Sequence, residues 1–515
     1  MEKGSSFEYK SPNVFTRIAV ACRLLIGLRG QDFRNAGSFV GRNYSASPWP
    51  VKIIRFVGWA VKSMLVDIPN ALVGVTFANP MSPVSYWLSS ENPIENHPWA
   101  ASPNAKLPDE AEVVVIGAGF TGSASAYHWS KRNGGKMVVL EMNEAASGAS
   151  GRNEGVVVMG RFFTYVKKMM VDDLSLSQPD LDEEQRERLA GGFADAYVKA
   201  AYKNGDMIEE TIKEEGFEVE YARVGWVQGQ TKETQDYLNK SVQESYEHGF
   251  DDWDKVEPKQ VLEMSGMNPD VPYGLSKRAA TWHPAKWVWS LLSTAIKADN
   301  VDFFSRTRVH KVEDVGDHYV VHTNRGMINA RYVVNATESY TALLHPEFVG
   351  KLTPIQTNAA FAEGGPPAMK PRVGMGAANS WFGKLHDGII LGSGGLRLDY
   401  TLAGLIRPSR FMTKYIIAEI QNTFEHSPMH VFREWSCTAG FTDDEYPVIG
   451  VMDGKRQYII AGMCGSGSGV HFNGARHVVD QILGIDGADD YPSKFFSPTR
   501  VLDPARHAWP EVHES

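Results

Sequence analysis

Apolar and polar residues repeat with different periods along the chain, and each change of period marks an element. Residues 14–28 (VFTRIAVACRLLIGL) and 51–68 (VKIIRFVGWAVKSMLVDI) place apolar side chains at helical spacing. Arg17 and Arg23 interrupt the first run, and Lys52, Arg55, Lys62 and Ser63 the second, so both predict amphipathic helices. Prolines then recur from Pro80 to Pro108, which reads as an extended linker. At residues 113–116 the pattern becomes continuously apolar and β-branched, predicting a buried parallel strand. A helix follows over 120–132, closed by Asn133-Gly134-Gly135, and a second apolar strand over 137–140. Further on, 181–215 predicts a long charged helix, 217–230 a strand and 231–248 another helix. Residues 280–295 form a strand-proline-helix pattern with Pro284 at the helix start. Residues 301–337 alternate as a β-meander with turns at 315–317 and 324–326. A helix over 409–424, a strand over 458–461 and an amphipathic helix over 470–483 complete the pattern.

Composition narrows the classes. With 515 residues, 43% of them hydrophobic and 22% charged, the chain is long enough for two to four globular domains. Three cysteines, Cys22, Cys437 and Cys464, cannot build a disulfide framework, and no Cys/His cluster has metal-ligand spacing, so no metal site is expected. A net charge of −9 argues against a nucleic-acid binder. That charge is uneven: residues 1–62 hold ten basic and three acidic residues, +7, which leaves −16 for the rest. Three readings of the basic helices stand, one of them a targeting presequence. In the other two they pack on the main body as an extension, or they lie on an anionic membrane surface through residues 1–68.

The most specific segment is 112–141. Its first strand runs into Gly117-Ala118-Gly119-Phe120-Thr121-Gly122 and the predicted helix, and the second strand ends in Glu141. Gly117 permits the tight turn, Gly119 lets the backbone approach a pyrophosphate, and Gly122 lets the helix pack on the strand. The helix start, with Phe120 and Thr121, offers free N–H groups to phosphates, and Glu141 is placed to accept from ribose hydroxyls. Strand, turn, helix, strand and acid in order within thirty residues define a dinucleotide site.

The run after Glu141, from Met142 to Gly155, contains Gly148-Ala149-Ser150-Gly151-Arg152-Asn153-Glu154-Gly155. It resembles the D-amino-acid oxidase (DAO) superfamily of FAD enzymes, in particular its γ-glutamylputrescine oxidase and sarcosine oxidase-like branch, where a Gly-Ala-Ser-Gly-Arg-Asn-Gly-Gly sequence stands here. Glu154 is the one departure. Residues 280–295, 301–337, 433–450 and 458–484 also resemble the family.

The resemblance implies an α/β fold: an FAD-binding Rossmann-like domain of the glutathione-reductase type (107–180, 275–348 and 430–490), interrupted by an α+β substrate domain (181–274 and 349–429). Residues 1–106 would be an N-terminal extension and linker, and 491–515 a tail. It implies FAD as cofactor, with Met142, Ser150, Arg152 and Asn153 along it and the Val309 backbone at the adenine. Gly465, Ser466, Gly467 and Gly469 would open the last helix toward the pyrimidine end of the flavin, and His283 is a candidate to face substrate. Cys437 matches the offset of a cysteine that some relatives join covalently to the flavin.

Ala439 stands where amino-acid oxidases hold a substrate carboxylate with an arginine, which favours an amine substrate unless Arg161 or Arg397 supplies the charge. Ile390 aligns with a lysine that assists reaction with oxygen. Trp226, Trp253, Trp282, Trp381 and Phe382 are candidates for an apolar pocket. The expected activity is oxidation of an amine C–N bond by hydride transfer to FAD, with oxygen or another acceptor taking the electrons. Two alternatives are a membrane-associated dehydrogenase and a non-catalytic flavin-binding scaffold. The expected location is cytoplasmic, with peripheral membrane contact as its variant.

Overall fold

The computed structural model describes residues 7–43, 47–132, 134–159, 161–377, 380–452, 456–485 and 490–512. Two large sheets organise them. In the first, Glu110–Ile116 lies between Met137–Leu140 and Gly326–Asn335, with Val301–Phe304 outside Met137–Leu140, all parallel. Val113, Val114 and Val115 are fully buried, so both faces of this strand are covered and its sequence is continuously apolar rather than alternating. Gln457–Ala461 adds in parallel at Val333–Asn335, and Val309–Asp314 with Tyr319–Thr323 continues the sheet as the expected antiparallel meander.

The fingerprint helix, Phe120–Ser130, crosses this sheet almost wholly buried. Small residues at 122–126 let it sit close. The Ser123 and Ser125 hydroxyls donate to the carbonyls of Gly119 and Thr121, so burying them leaves no polar atom unpaired. Asn133, expected in its cap, lies outside the described residues. The closing helix, His471–Leu483, packs beside it.

The second sheet has nine strands, in the order Val75–Ser82, Met429–Thr442, Leu352–Gly364, Ile389–Arg397, Ser380–Lys384, Gly374–Ala377, Trp226–Gln228, Tyr273–Ser276 and Trp253–Val256. The helix Arg410–Thr423 covers it, capped by the Ser409 side chain.

Several expected boundaries differ. Residues 429–442 are expected with the cofactor segment from 430, yet they pair with Leu352–Gly364 from Leu352↔Thr442 to Gly364↔Met429, inside the nine-stranded sheet. The expected strand over 217–230 shortens to Trp226–Gln228. The long helix, Glu183–Glu215, has a capping box at Asp182 and Gln185 and a left-handed Gly216 at its end, as its charge pattern suggests. It packs on the closing helix, however, not only within the substrate layer. The proline-spaced segment is no linker. Val75–Ser82 joins the nine-stranded sheet parallel to Met429–Thr442, and the Trp87 indole is buried and donates to the Asn153 carbonyl. A further helix, Gly30–Asn43, stands between the two expected N-terminal ones.

The C-terminal segment is likewise folded in. Arg500 is buried against Asp444, Nε to Oδ2 at 2.5 Å, and donates to the carbonyls of Phe495, Tyr446 and Pro447. Arg500→Met would leave the Asp444 carboxylate buried without its counter-charge. The expected cost is about 3–5 kcal/mol, read as a lower urea midpoint at unchanged slope.

Candidate active site

A cavity of about 540 Å³ opens along the C-terminal ends of the parallel strands, where open α/β sheets bind ligands. At one end it is lined by Gly117, Gly119, Phe120 and Thr121 of the fingerprint turn, by Glu141 and Met142, and by Val309 of the meander. Ser150, Asn153 and Glu154 form the next part of the wall. Thr357, Trp381 and Cys437 of the nine-stranded sheet line it as well, with Gly465 and Gly467 of the glycine loop.

Backbone geometry makes the turn possible. Gly117 has φ 106°, and a Cβ there would stand 2.5 Å from the Ala336 carbonyl oxygen. The Ser150 hydroxyl accepts from Phe120 N at 2.8 Å, so the 148–155 loop is drawn onto the helix start. Glu141 Oε2 accepts from Ala118 N and Oε1 from Asn143 N. Burial pushes its carboxyl above the ordinary range, against these two backbone bonds.

Not every sequence candidate reaches the cavity. Gly122 faces the strand, where a Cβ would sit 1.8 Å from the Gly117 carbonyl oxygen. Arg152 points elsewhere: Nε donates to the Ser147 carbonyl at 2.8 Å and Nη1 to that of Ser436 at 3.5 Å, which fastens the loop to Met429–Thr442. Gly469 packs under the Val158 carbonyl and Ser466 faces a second cavity.

His283 is no wall residue of either cavity. It is the N-cap of Pro284–Ala295, with Nδ1 accepting from Lys286 N and Nε2 bonded to Ser90 Oγ, and burial lowers its pKa to about 4. Ile390 is buried in the sheet outside both cavities, paired with Phe361 and Gly383, so its apolar character says nothing about oxygen. Trp282 and Phe382 are core, while Trp226 and Trp253 line the second cavity.

Three residues that sequence reasoning passed over hold the site together. Glu338, with φ 47°, accepts from the backbone N–H groups of Gly440, Gly462 and Met463 and so ties the two sheets to the glycine loop; burial pushes its carboxyl up to about 7. Asn204 of the long helix accepts from Phe472 N and Asn473 N and donates to the Ser468 carbonyl. The first-turn donors of the closing helix, expected to face the cofactor, are therefore capped from within the protein. His471 is held neutral, its pKa lowered by burial to about 3. The Trp287 indole can only donate, so Nε2 of His471 accepts and its Nδ1–H donates to the Gly467 carbonyl. None of the three belongs to a spaced motif, and only the fold brings them to the loop.

The second cavity, about 790 Å³, meets the first at Gly465. Tyr165, Trp226, Tyr237, Trp253 and Tyr273 line it, with Arg161 its charged side chain. Arg161 Nη1 donates to Glu445 at 2.9 Å and the guanidinium lies 5.1 Å from the Tyr165 ring centre. Arg397 does not line either cavity.

A parallel sheet, a glycine turn at a helix start, an acid at the next strand tip and an adjoining aromatic chamber define a dinucleotide-dependent redox enzyme. The chain belongs to the DAO family of FAD-dependent oxidoreductases, whose model matches residues 112–481. It is 24% identical over 280 residues to gamma-glutamylputrescine oxidoreductase from Escherichia coli (strain K12), covering 52% of this chain and 59% of that one, less than two thirds of the relative's length. Among solved structures it resembles L-proline dehydrogenase from P. horikoshii (TM-score 0.62, 18% identity, 76% of this chain and 98% of that one). It also resembles L-alpha-glycerophosphate oxidase from Mycoplasma pneumoniae with FAD bound (TM-score 0.55, 14% identity, 73% and 95%). These two likenesses show the fold.

Glu154, the departure from the family run, has no hydrogen bond or ion pair among the described residues, and desolvation pushes its carboxyl up to about 8. In the unfolded chain it ionises above 4.5. Stability should therefore fall as pH rises from about 5 to about 8 and level off above that. On flavin-stripped protein, Glu154→Gln should melt higher than the parent by a gap that opens across this window and reaches ~5 °C.

Proposed function

We propose that this oxidoreductase oxidises the C–N bond of an amine, giving an imine that water hydrolyses. The observation that carries this reading is the aromatic chamber meeting the cofactor cavity at Gly465. Ring faces attract an ammonium group on entry, and the chamber's low polarity then favours the neutral amine, the form that can lose hydride. Its lining, among the described residues, contains no carboxylate to hold the amine protonated. The E. coli relative, by its name, also acts on an amine.

FAD, when bound, supplies the two-electron acceptor for the hydride. The chain's part is to bind and orient. Gly117, Gly119, Phe120, Thr121 and Ser150 would receive the pyrophosphate, Glu141 and Met142 the ribose, and the Val309 backbone the adenine. Asn153, Gly465 and Gly467 would border the flavin ring, with Gly122 and Gly469 allowing the close packing beneath and Arg152 and Ser466 acting through the loops they hold. Cofactor segments and substrate layer would then follow the sheets, with residues 429–442 counted in the substrate layer. Oxygen or another acceptor completes the cycle.

A second reading is favoured by Arg161. It stands in the chamber with donor atoms beyond those given to Glu445, so it offers the cation that Ala439 does not. The substrate would then be an amine that also carries a carboxylate. Anaerobic mixing with a panel of amines, with and without a carboxylate, tests both readings. Flavin reduction by at least one amine is expected, and none reducing it would sink the proposal. Arg161→Met should raise KM about ten- to a hundredfold for carboxylate-bearing amines and leave the others unchanged.

Cys437 lines the cofactor cavity with Sγ 2.8 Å from Thr357 Oγ1, and burial raises its thiol pKa, which opposes the thiolate needed to attack a flavin methyl carbon. Acid precipitation should leave the flavin in the supernatant. Yellow pellets that turn colourless in Cys437→Ser would establish the covalent link instead.

A further inference from the structure

The N-terminal helices leave an outer face that the other described residues do not cover. Among the described residues, more large apolar side chains stand exposed before residue 67 than in all of the chain after it. Phe15 is 84% exposed, Ile26 85%, Trp49 70% and Ile54 71%, values ordinary for surface lysines and unusual for such side chains. The helices are not loose. Ala21 of Val14–Gly27 is buried, Leu24 joins Ile68 and Ala71 in the core beneath Arg410–Thr423, and the Trp59 ring meets Tyr415 at 5.6 Å. Gly30–Asn43 is fastened by Asp32, which accepts from the Ser409 hydroxyl. The inner faces are thus spent, and among the described residues nothing covers the outer apolar side chains.

Basic residues interleave with that apolar face. Arg23, Arg29, Arg34 and Arg55 are exposed and make no ion pair among the described residues. Asp32 is buried, and Asp67 is taken by Lys62 at 3.3 Å, so little negative charge offsets them.

We propose that these three helices form a docking surface for an anionic lipid bilayer. The apolar side chains would enter the headgroup boundary while the arginines meet lipid phosphates. Charge selects this occupant. A second copy joined about a two-fold axis would set this basic face against itself, arginines opposing arginines. Phosphates at a membrane surface instead complement it, and arginine stems reach along apolar side chains to place the guanidinium there. The helices lie on such a surface and do not cross it. Val14–Gly27 has 14 residues, about 21 Å of helix against a hydrocarbon core of about 30 Å, and Trp49–Lys62 runs on through Ser63–Asp67 into Ile68–Ala71, whose Ile68 and Ala71 are buried in the protein core rather than free to enter lipid. Among the described residues no helix is long and apolar enough to cross a membrane.

Co-sedimentation of the full-length holoenzyme with phosphatidylglycerol–phosphatidylcholine vesicles tests the proposal. Binding is expected there, at least about tenfold weaker to phosphatidylcholine alone, and reversed by high salt. Phe15→Ser combined with Ile26→Ser and Ile54→Ser should cut it about tenfold or more, with flavin content and melting temperature unchanged because these side chains are exposed. Arg23→Glu with Arg55→Glu should abolish the preference for anionic vesicles. Protein that stays in the supernatant with anionic vesicles overturns the proposal. So does a dimer in light scattering that the serine substitutions dissociate, because the face would then be covered by a second copy.

Discussion

Between the fingerprint helix and the turn that feeds it there is no room for a side chain. A Cβ at Gly122 would lie 1.8 Å from the carbonyl oxygen of Gly117, and one at Gly117 would lie 2.5 Å from that of Ala336. Three backbones therefore touch where Glu110–Ile116 and Gly326–Asn335 end. This contact fixes the helix start directly above the strand tips, within reach of Ser150 on one side and Glu141 on the other. Enlarging either glycine would lift the helix and widen the cavity that the parallel sheet opens onto. The dinucleotide-shaped end of the site is thus a consequence of backbone packing before any side-chain chemistry is considered.

The other end is built differently, by polar side chains buried among backbone groups. The glycine loop separating the two cavities is held by Glu338 through the N–H groups of Gly462 and Met463, by Asn204 through the Ser468 carbonyl, and by His471 through that of Gly467. The Asn204 bond is buried and the others are partly buried, where an unmade partner is costly. The wall between the two cavities is therefore fixed by named bonds although its sequence, Gly465-Ser466-Gly467-Ser468-Gly469, reads as flexible.

That contrast explains what the sequence disclosed. The elements around the fingerprint were legible because their determinants are local: β-branched runs for covered strands, glycines at a turn, an acid at a strand tip. Pro284–Ala295, Arg410–Thr423 and His471–Leu483 appear within a residue or two of expectation for the same reason. Arg152 and His283 do not line either cavity, because what fixes them is remote in sequence, Ser436 for one and Ser90 for the other. Residues 429–442 alternate no differently from a strand of either sheet, and only pairing with Leu352–Gly364 assigns them. Glu338 and Asn204 carry no spacing signal at all.

The segment before residue 107 shows most clearly how a local reading fails. Its prolines suggest a tether, yet it grips the cofactor side of the molecule at two places. Val75–Ser82 lies against Met429–Thr442, whose Cys437, Thr438 and Ala439 line the cofactor cavity. Farther along, the Ser85 hydroxyl donates to the Gly151 carbonyl and the Trp87 indole to that of Asn153, both on the loop that also lines it. A Cβ at Gly155 would stand 2.5 Å from the Trp87 ring, so that glycine is matched to the tryptophan rather than to a ligand. The N-terminal helices, the edge of the nine-stranded sheet and the loop over the cavity are consequently one mechanical unit. A load on those helices would bear, through Val75–Ser82, the Ser85 hydroxyl and the Trp87 indole, on the wall of that cavity.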